Sequence, residues 1–140
     1  MSYGILVVDD SSSALMMYRK IIEVSGIPVR ELTTARNGQE ALQQLALHSI
    51  DLILTDLHMP VMDGLQLLEH LAAEPKWRPI PVIMITSEGR SEAVERSKAL
   101  GAAGVLQKPF TPEEVRRVML DCLGVQDHGN TASSTEKGDF

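Results

Sequence analysis

The chain has 140 residues, of which 44% are hydrophobic, and it carries a formal net charge of −6. This length suits a single domain, and the hydrophobic content is too high for a disordered chain. The acidic balance without a basic cluster argues against nucleic-acid partners and anionic membrane surfaces, and the single cysteine excludes an internal disulfide, as suits a reducing cytoplasm.

Five short apolar runs alternate with five stretches that have helical patterning. Runs this short and rich in β-branched residues are typical of buried parallel strands. The predicted strands are residues 4–8, 29–34, 51–55, 82–85 and 104–107. The predicted helices are residues 11–25, 38–48, 65–73, 91–100 and 111–123. This alternation predicts an α/β fold with one doubly wound, five-stranded parallel sheet and helices on both faces.

The two ends of the chain lie outside this pattern. The first residues lack the basic stretch of a signal peptide, and the apolar run that follows is too short to span a membrane. Residues 125–140 are polar and aperiodic, so we predict a disordered tail there. We therefore expect a single domain over residues 1–124 of a cytoplasmic protein.

Polar side chains follow four of the predicted strands. They are Asp9, Asp10, Asp56, Thr86 and Lys108. The carboxyl ends of the strands in an open parallel sheet share one edge, and ligands bind in the crevice there. The sequence therefore predicts a reaction site in which three carboxylates, a hydroxyl and an ammonium group are neighbours.

Three converging carboxylates need either raised pKa values or a cation. Two carboxylates about 4 Å apart repel by roughly 4 kcal/mol at an effective dielectric constant of about 20. Oxygen ligands with room for water suit Mg²⁺, which commonly bridges to phosphate. The charges of the three aspartates, one Mg²⁺ and Lys108 cancel, so such a pocket can accept a phosphoryl group whose oxygens need cationic partners.

Four motifs carry a family resemblance. They are residues 7–10 (VVDD), 56–64 (DLHMPVMDG), 85–87 (ITS) and 108–110 (KPF). In this order and spacing they resemble the signature of bacterial response regulator receiver domains, and most of all the stand-alone, CheY-like receivers of the chemotaxis type. The resemblance covers residues 4–124 and implies the flavodoxin-like strand order 2-1-3-4-5.

The resemblance assigns a phosphoacceptor and a metal site. It implies that Asp56 takes a phosphoryl group from a histidine kinase or a phosphotransfer protein as an aspartyl phosphate. It also implies that Asp9, Asp10 and Asp56 hold Mg²⁺ together with the backbone carbonyl of Leu57 or His58. The usual family position, two residues after the phosphoacceptor, favours His58.

Two further roles follow from the same resemblance. Lys108 neutralises phosphoryl charge, and its bond to Pro109 is expected to be cis, which aims the lysine into the crevice. Thr86 moves to hydrogen-bond a phosphoryl oxygen. A protein of this kind is not an enzyme with a separate substrate, although it assists its own phosphorylation and autodephosphorylation, and its output is a contact with a downstream target protein.

Positions around the site are expected to modulate the phosphoryl lifetime. His58 and Glu88 stand two residues after Asp56 and Thr86, positions that flank the attacking water in the family. We predict that these two side chains tune the rate of autodephosphorylation.

Val105 departs from the family pattern. Many receivers have Tyr or Phe at this position, and the ring turns inward as the threonine moves. A stiff β-branched side chain cannot swing in this way. We therefore expect the loop of residues 87–90, which begins at Ser87 and contains the permissive Gly89, to carry the output, and we hypothesise a recess beside Val105 that a partner can use.

Several alternatives stay open from the sequence. A non-switching adaptor has the same fold, and a haloacid-dehalogenase-like phosphatase also combines an aspartate nucleophile with Mg²⁺, Thr and Lys. The phosphatase would need an acid where this chain has His58, and a flavin-binding protein would need a phosphate-cradling loop after the first strand. Chemotaxis and phosphorelay are equally compatible with the sequence, as are a monomer and a weak dimer.

Overall fold

The computed structural model describes residues 2–124, so Met1 and the predicted tail 125–140 lie outside the described residues. The strands are β1 (Tyr3–Val8), β2 (Val29–Ala35), β3 (Leu52–Asp56), β4 (Val82–Thr86) and β5 (Gly104–Gln107). The helices are α1 (Ser12–Val24), α2 (Gly38–Leu47), α3 (Gly64–Ala73), α4 (Glu92–Ala99) and α5 (Pro112–Leu123). None of these helices is long and apolar enough to cross a membrane.

The strands form one sheet in the order β2-β1-β3-β4-β5, and every neighbouring pair is parallel. The doubly wound, flavodoxin-like fold with five helices is therefore confirmed. The predicted bounds differ from the observed ones by at most one residue. At β3, Asp56 still pairs with Ile85 of β4, whereas the carboxylate of Asp51 accepts the N–H of Gly4. The strand consequently ends on the predicted phosphoacceptor.

Both faces of the sheet are covered because alternate strand residues point to opposite sides. On β1, Ile5 and Val7 belong to the apolar cluster that includes residues of α1 and α5. Leu6 and Val8 belong to the cluster that includes residues of α2 and α3. All four are at most 1% exposed, and burying each such side chain contributes about 1.5–3 kcal/mol. The carboxyl edge of the sheet is thus a rigid support for the residues that follow it.

Each helix begins at a polar residue whose side chain accepts a backbone N–H from the first turn. These residues are Ser11, Asn37, Asp63, Ser91 and Thr111. Asp63 and Thr111 complete capping boxes with Gln66 and Glu114. Asp63 is therefore the N-cap of α3.

The loop from β3 to α3 is held against the end of the strand. The N–H of Gly64 donates to the carbonyl of Leu57 at 2.9 Å, and a Cβ at Gly64 would lie 2.5 Å from the carbonyl oxygen of Asp56. Only glycine permits this close approach. Within the same loop Val61 has φ 68° although it is β-branched and 79% exposed. The N–H of Met62 donates to the carbonyl of Pro60 at 2.7 Å, so the positive φ of Val61 belongs to a γ-turn, a local strain that no burial offsets.

We expect Val61→Asn to raise the free energy of unfolding by about 1 kcal/mol, because asparagine tolerates a positive φ better than valine does. Urea denaturation measures the change. Val24→Asn is the matched control, since Val24 is 67% exposed in α1 and the two residues have similar helix propensity. A Val61→Asn protein no more stable than the original would contradict the strain.

Candidate functional site

Three carboxylates meet where β1 and β3 end. Asp9 and Asp10 follow β1, Asp56 is the last residue of β3, and one oxygen from each lies within 4.8 Å of the others. Asp9 is buried and Asp10 is exposed, so the cluster spans from the interior to the solvent. The predicted convergence of residues 47 positions apart is confirmed.

Only one of the two carboxylate oxygens of Asp9 has a hydrogen-bond partner among residues 2–124. Its Oδ1 accepts the N–H of Ser11 at 2.9 Å, whereas its Oδ2 has no hydrogen-bond partner among residues 2–124. Burial raises the pKa of this carboxyl, and the negative charges of Asp56 and Asp10 raise it further, against the lowering effects of the Ser11 N–H and Lys108. A buried carboxylate oxygen without a donor, beside two more carboxylates, fits the oxygen ligand set of a hard cation such as Mg²⁺.

The ammonium group of Lys108 faces the carboxylate cluster. Lys108 Nζ lies 3.4 Å from Oδ1 of Asp56, whose side chain is 14% exposed. The backbone N–H of Lys108 donates to the carbonyl of Thr86 at 2.8 Å, which ties the lysine to the end of β4. The bond between Lys108 and Pro109 is cis, as predicted. Pro109 itself is exposed.

Thr86 ends β4 and is 1% exposed. Its Oγ1 accepts the N–H of Glu88 at 3.0 Å, so the hydroxyl holds the start of the loop that leads to α4. Ser87, between them, is exposed. A movement of the Thr86 hydroxyl would therefore release a backbone contact of this loop.

The two predicted modulating side chains contact each other. His58 Nε2 is hydrogen-bonded to Glu88 Oε2, and this bond with His58, together with one from Ser91, lowers the pKa of Glu88. The pair joins the loop after β3 to the loop after β4. The carbonyl of Leu57 already accepts the Gly64 N–H, which favours the His58 carbonyl as a main-chain ligand for a cation.

Val105 lies apart from the polar cluster. It is half-buried in β5 and packs against the apolar cluster that includes residues of α2 and α3. The recess proposed beside Val105 stays a prediction.

Two residues near the site were not singled out from the sequence. Arg36 follows β2, and its Nη2 donates to the backbone carbonyl of Asp10 at 3.2 Å, which ties two loops of the carboxyl edge together. Its place two residues after the predicted strand 29–34 was an available signal. Tyr18 of α1 is buried and stacks on Phe110, and nothing in the sequence indicates that its hydroxyl has no hydrogen-bond partner among residues 2–124.

Comparisons with known proteins converge on one family. Residues 5–119 match the response regulator receiver domain family. The chemotaxis protein CheY1 of Helicobacter pylori is 34% identical over 126 residues, which cover 88% of this chain and 98% of that protein. The CheY homologue of Campylobacter jejuni is 33% identical over 121 residues, covering 86% of this chain and 92% of that protein.

Solved structures agree with the sequence relatives. The chemotaxis protein CheY4 of Vibrio cholerae superposes with a TM-score of 0.79 at 32% identity, over 88% of this chain and all of that one. The receiver domain of a sensor histidine kinase from Pseudomonas aeruginosa has a TM-score of 0.78 at 25% identity, over 89% of this chain and 99% of that domain. That structure has a magnesium ion coordinated in its active-site cleft.

Proposed function

Because this chain belongs to the response regulator receiver domain family of two-component signalling, we propose that it accepts a phosphoryl group on Asp56 and thereby switches its contacts with a target protein. The phosphoryl donor is a sensor histidine kinase or a phosphotransfer protein. The observation that carries the proposal is the contact between Asp56 and Lys108 beside the other two carboxylates.

The transfer step needs one bond made and one broken. A carboxylate oxygen of Asp56 attacks phosphorus, and the P–N bond of the donor phosphohistidine breaks with its electron pair returning to the imidazole nitrogen. Positioning and charge stabilisation supply most of the acceleration in phosphoryl transfer. Lys108 is placed to pair with a phosphoryl oxygen because its ammonium group already faces Asp56.

We propose Asp9, Asp10, Asp56 and the His58 carbonyl as the residues that hold Mg²⁺. When bound, the ion supplies positive charge to the phosphoryl oxygens and offsets the repulsion between the carboxylates. Asp10 is exposed at the mouth of the site, and Asp9 is buried beneath it. The cluster therefore offers the cation both a solvent-exposed and a buried carboxylate.

In this proposal, Thr86 transmits the phosphorylation of Asp56 to the loop that follows β4. The Thr86 hydroxyl exchanges the Glu88 N–H for a phosphoryl oxygen, and the loop of residues 87–90 is then free to rearrange. Val105 has no ring to swing, so this loop carries the output. The chemotaxis relatives favour a chemotaxis-type target, whereas a phosphorelay shuttle would pass the phosphoryl group onward.

Incubation with Mg²⁺ and acetyl phosphate tests the proposal. We expect the intact protein to gain the mass of one phosphoryl group, to lose it in hydroxylamine as an acyl phosphate does, and to gain none in excess EDTA. No gain in mass, or a gain that EDTA leaves unchanged, would overturn the proposal. Turnover of p-nitrophenyl phosphate would favour the phosphatase alternative instead.

Beryllium fluoride separates a switch from a non-switching adaptor, because with Mg²⁺ it stands in for the phosphoryl group without turnover. We expect amide resonances of residues 87–90 to shift in an NMR titration. Shifts confined to the carboxylate cluster would favour the adaptor.

The His58–Glu88 pair is expected to slow autodephosphorylation, because it bridges the two loops that flank the path of the attacking water. Replacing either residue with alanine should raise the decay rate of the phosphorylated protein roughly two- to fivefold, and the double replacement should do no more than one alone. Mass spectrometry after removal of the phosphodonor follows the decay.

His48→Ala is the matched control, since His48 pairs with Glu31 at 3.2 Å and both lie toward the opposite edge of the sheet. It should leave the decay rate unchanged. Additive effects of His58→Ala and Glu88→Ala would show that the two side chains act separately, against this interpretation of their contact.

A further inference from the structure

The hydroxyl of Tyr18 is in an unusual state. Tyr18 is 1% exposed, and its Oη has no hydrogen-bond partner among residues 2–124. A buried hydroxyl without a partner is unfavourable and calls for an explanation. Within the described part of the chain, one other buried side-chain atom shares this state, and it is Oδ2 of Asp9. One of these atoms is a donor and the other an acceptor.

The backbone directs Tyr18 toward the carboxylate cluster. Side chains of an α-helix point back toward its N-terminus, and α1 begins at Ser12, three residues after Asp9. The ring stacks on Phe110, with ring centroids 5.8 Å apart and planes 27° apart. Phe110 follows Lys108 by two residues, so the ring is wedged between α1 and the loop that carries the lysine.

The electrostatic surroundings keep the hydroxyl protonated. Burial raises the pKa of Tyr18, and the negative charges of Asp9 and Asp56 raise it further. The tyrosine is therefore a hydrogen-bond donor at every pH at which the protein works. A donor is what the unpartnered oxygen of Asp9 lacks.

We propose that Tyr18 is a positioning residue whose hydroxyl donates to Oδ2 of Asp9 through one buried water and orients that carboxylate for the cation. The inference rests on the proposed function in that it takes Asp9 as a metal ligand. The Ser11 N–H holds Oδ1, and Tyr18 then holds Oδ2. A carboxylate oxygen can accept this bond and bind a cation at once, and partners of this kind set the orientation of metal ligands.

Tyr18→Phe tests the positioning because it removes the hydroxyl and keeps the ring on Phe110. We expect the Mg²⁺ dissociation constant of the full chain, measured by NMR titration, to rise about tenfold. Tyr3→Phe is the matched control, since Tyr3 is the other of the two tyrosines and lies at the far end of β1. A dissociation constant within twofold of the original for Tyr18→Phe would overturn the proposal.

A metal-free measurement makes the test independent of the proposed function. The Cζ resonance of an isotopically labelled tyrosine reports the hydrogen bond of its hydroxyl. In the protein without Mg²⁺, Asp9→Asn should shift the resonance of Tyr18 and leave that of Tyr3 in place. An unmoved Tyr18 resonance would overturn the proposal. Failure of the original protein to bind Mg²⁺ would overturn only the proposed metal site. This resonance would then still decide whether Tyr18 and Asp9 are linked.

Discussion

Asp56→Asn is expected to abolish phosphorylation while leaving the fold intact. The amide has no anionic oxygen to attack phosphorus, and loss of a nucleophile typically lowers a rate by roughly 10³-fold or more. The two side chains have nearly the same shape, and Asp56 keeps its backbone pairing with β4 after the change. Mass spectrometry after incubation with Mg²⁺ and acetyl phosphate measures the loss, and circular dichroism checks the fold.

Asp63→Asn is the matched control for this loss. Asp63 belongs to the same loop, but its carboxylate caps α3 by accepting the N–H of Gln66 at 2.9 Å. Asparagine is an equally good N-cap, so both stability and phosphorylation should be retained. If Asp56→Asn were still phosphorylated at the original rate, the phosphoacceptor would have to be another residue.

The composition of the site was predictable because it depends on where strands end. Runs of β-branched residues fix the strands, parallel pairing brings their carboxyl ends to one edge, and the polar residue after each run is then placed there. Asp56, Thr86 and Lys108 follow from this argument alone. The capping function of Asp63 was predictable for a similar reason, since N-caps depend on a few neighbouring residues.

The finer geometry depends on contacts that sequence periodicity does not encode. Asp9 and Asp10 are adjacent, and only the backbone of the β1–α1 loop decides that one is buried and the other exposed. The contact between His58 and Glu88 depends on the conformations of the two loops that carry them, which follow β3 and β4. Helical spacing places Tyr18 in the core, but it does not reveal that the hydroxyl has no hydrogen-bond partner within residues 2–124.

Asp9→Asn is expected to stabilise the metal-free protein. Burial raises the pKa of Asp9, so the folded protein binds this proton more tightly than the unfolded chain does. Stability is therefore lost as the pH rises from the ordinary aspartate value of about 4 through the raised value. The neutral amide removes this loss, and we expect the free energy of unfolding at pH 7 to increase by about 1–2 kcal/mol in EDTA. Urea denaturation at pH 7 and at pH 3 should show that the gain disappears in acid.

Asp51→Asn should instead lower the free energy of unfolding, because the Asp51 carboxylate accepts the Gly4 N–H at 2.8 Å and lies 3.5 Å from Arg30. A metal-free Asp9→Asn protein that is less stable than the original at pH 7 would contradict a destabilising carboxylate at this position.

Mg²⁺ should reverse the order of stability between the original protein and Asp9→Asn. A ligand that binds only the folded state stabilises it by about 2.7 kcal/mol at a hundred times its dissociation constant, and asparagine at position 9 offers the cation no charge. The original protein should therefore gain more from Mg²⁺ than the variant gains from losing the buried carboxylate. Parallel denaturation curves with and without Mg²⁺ measure this crossing. If both proteins gained equally, Asp9 would not be a ligand, and its burial without a partner at Oδ2 would need another cause.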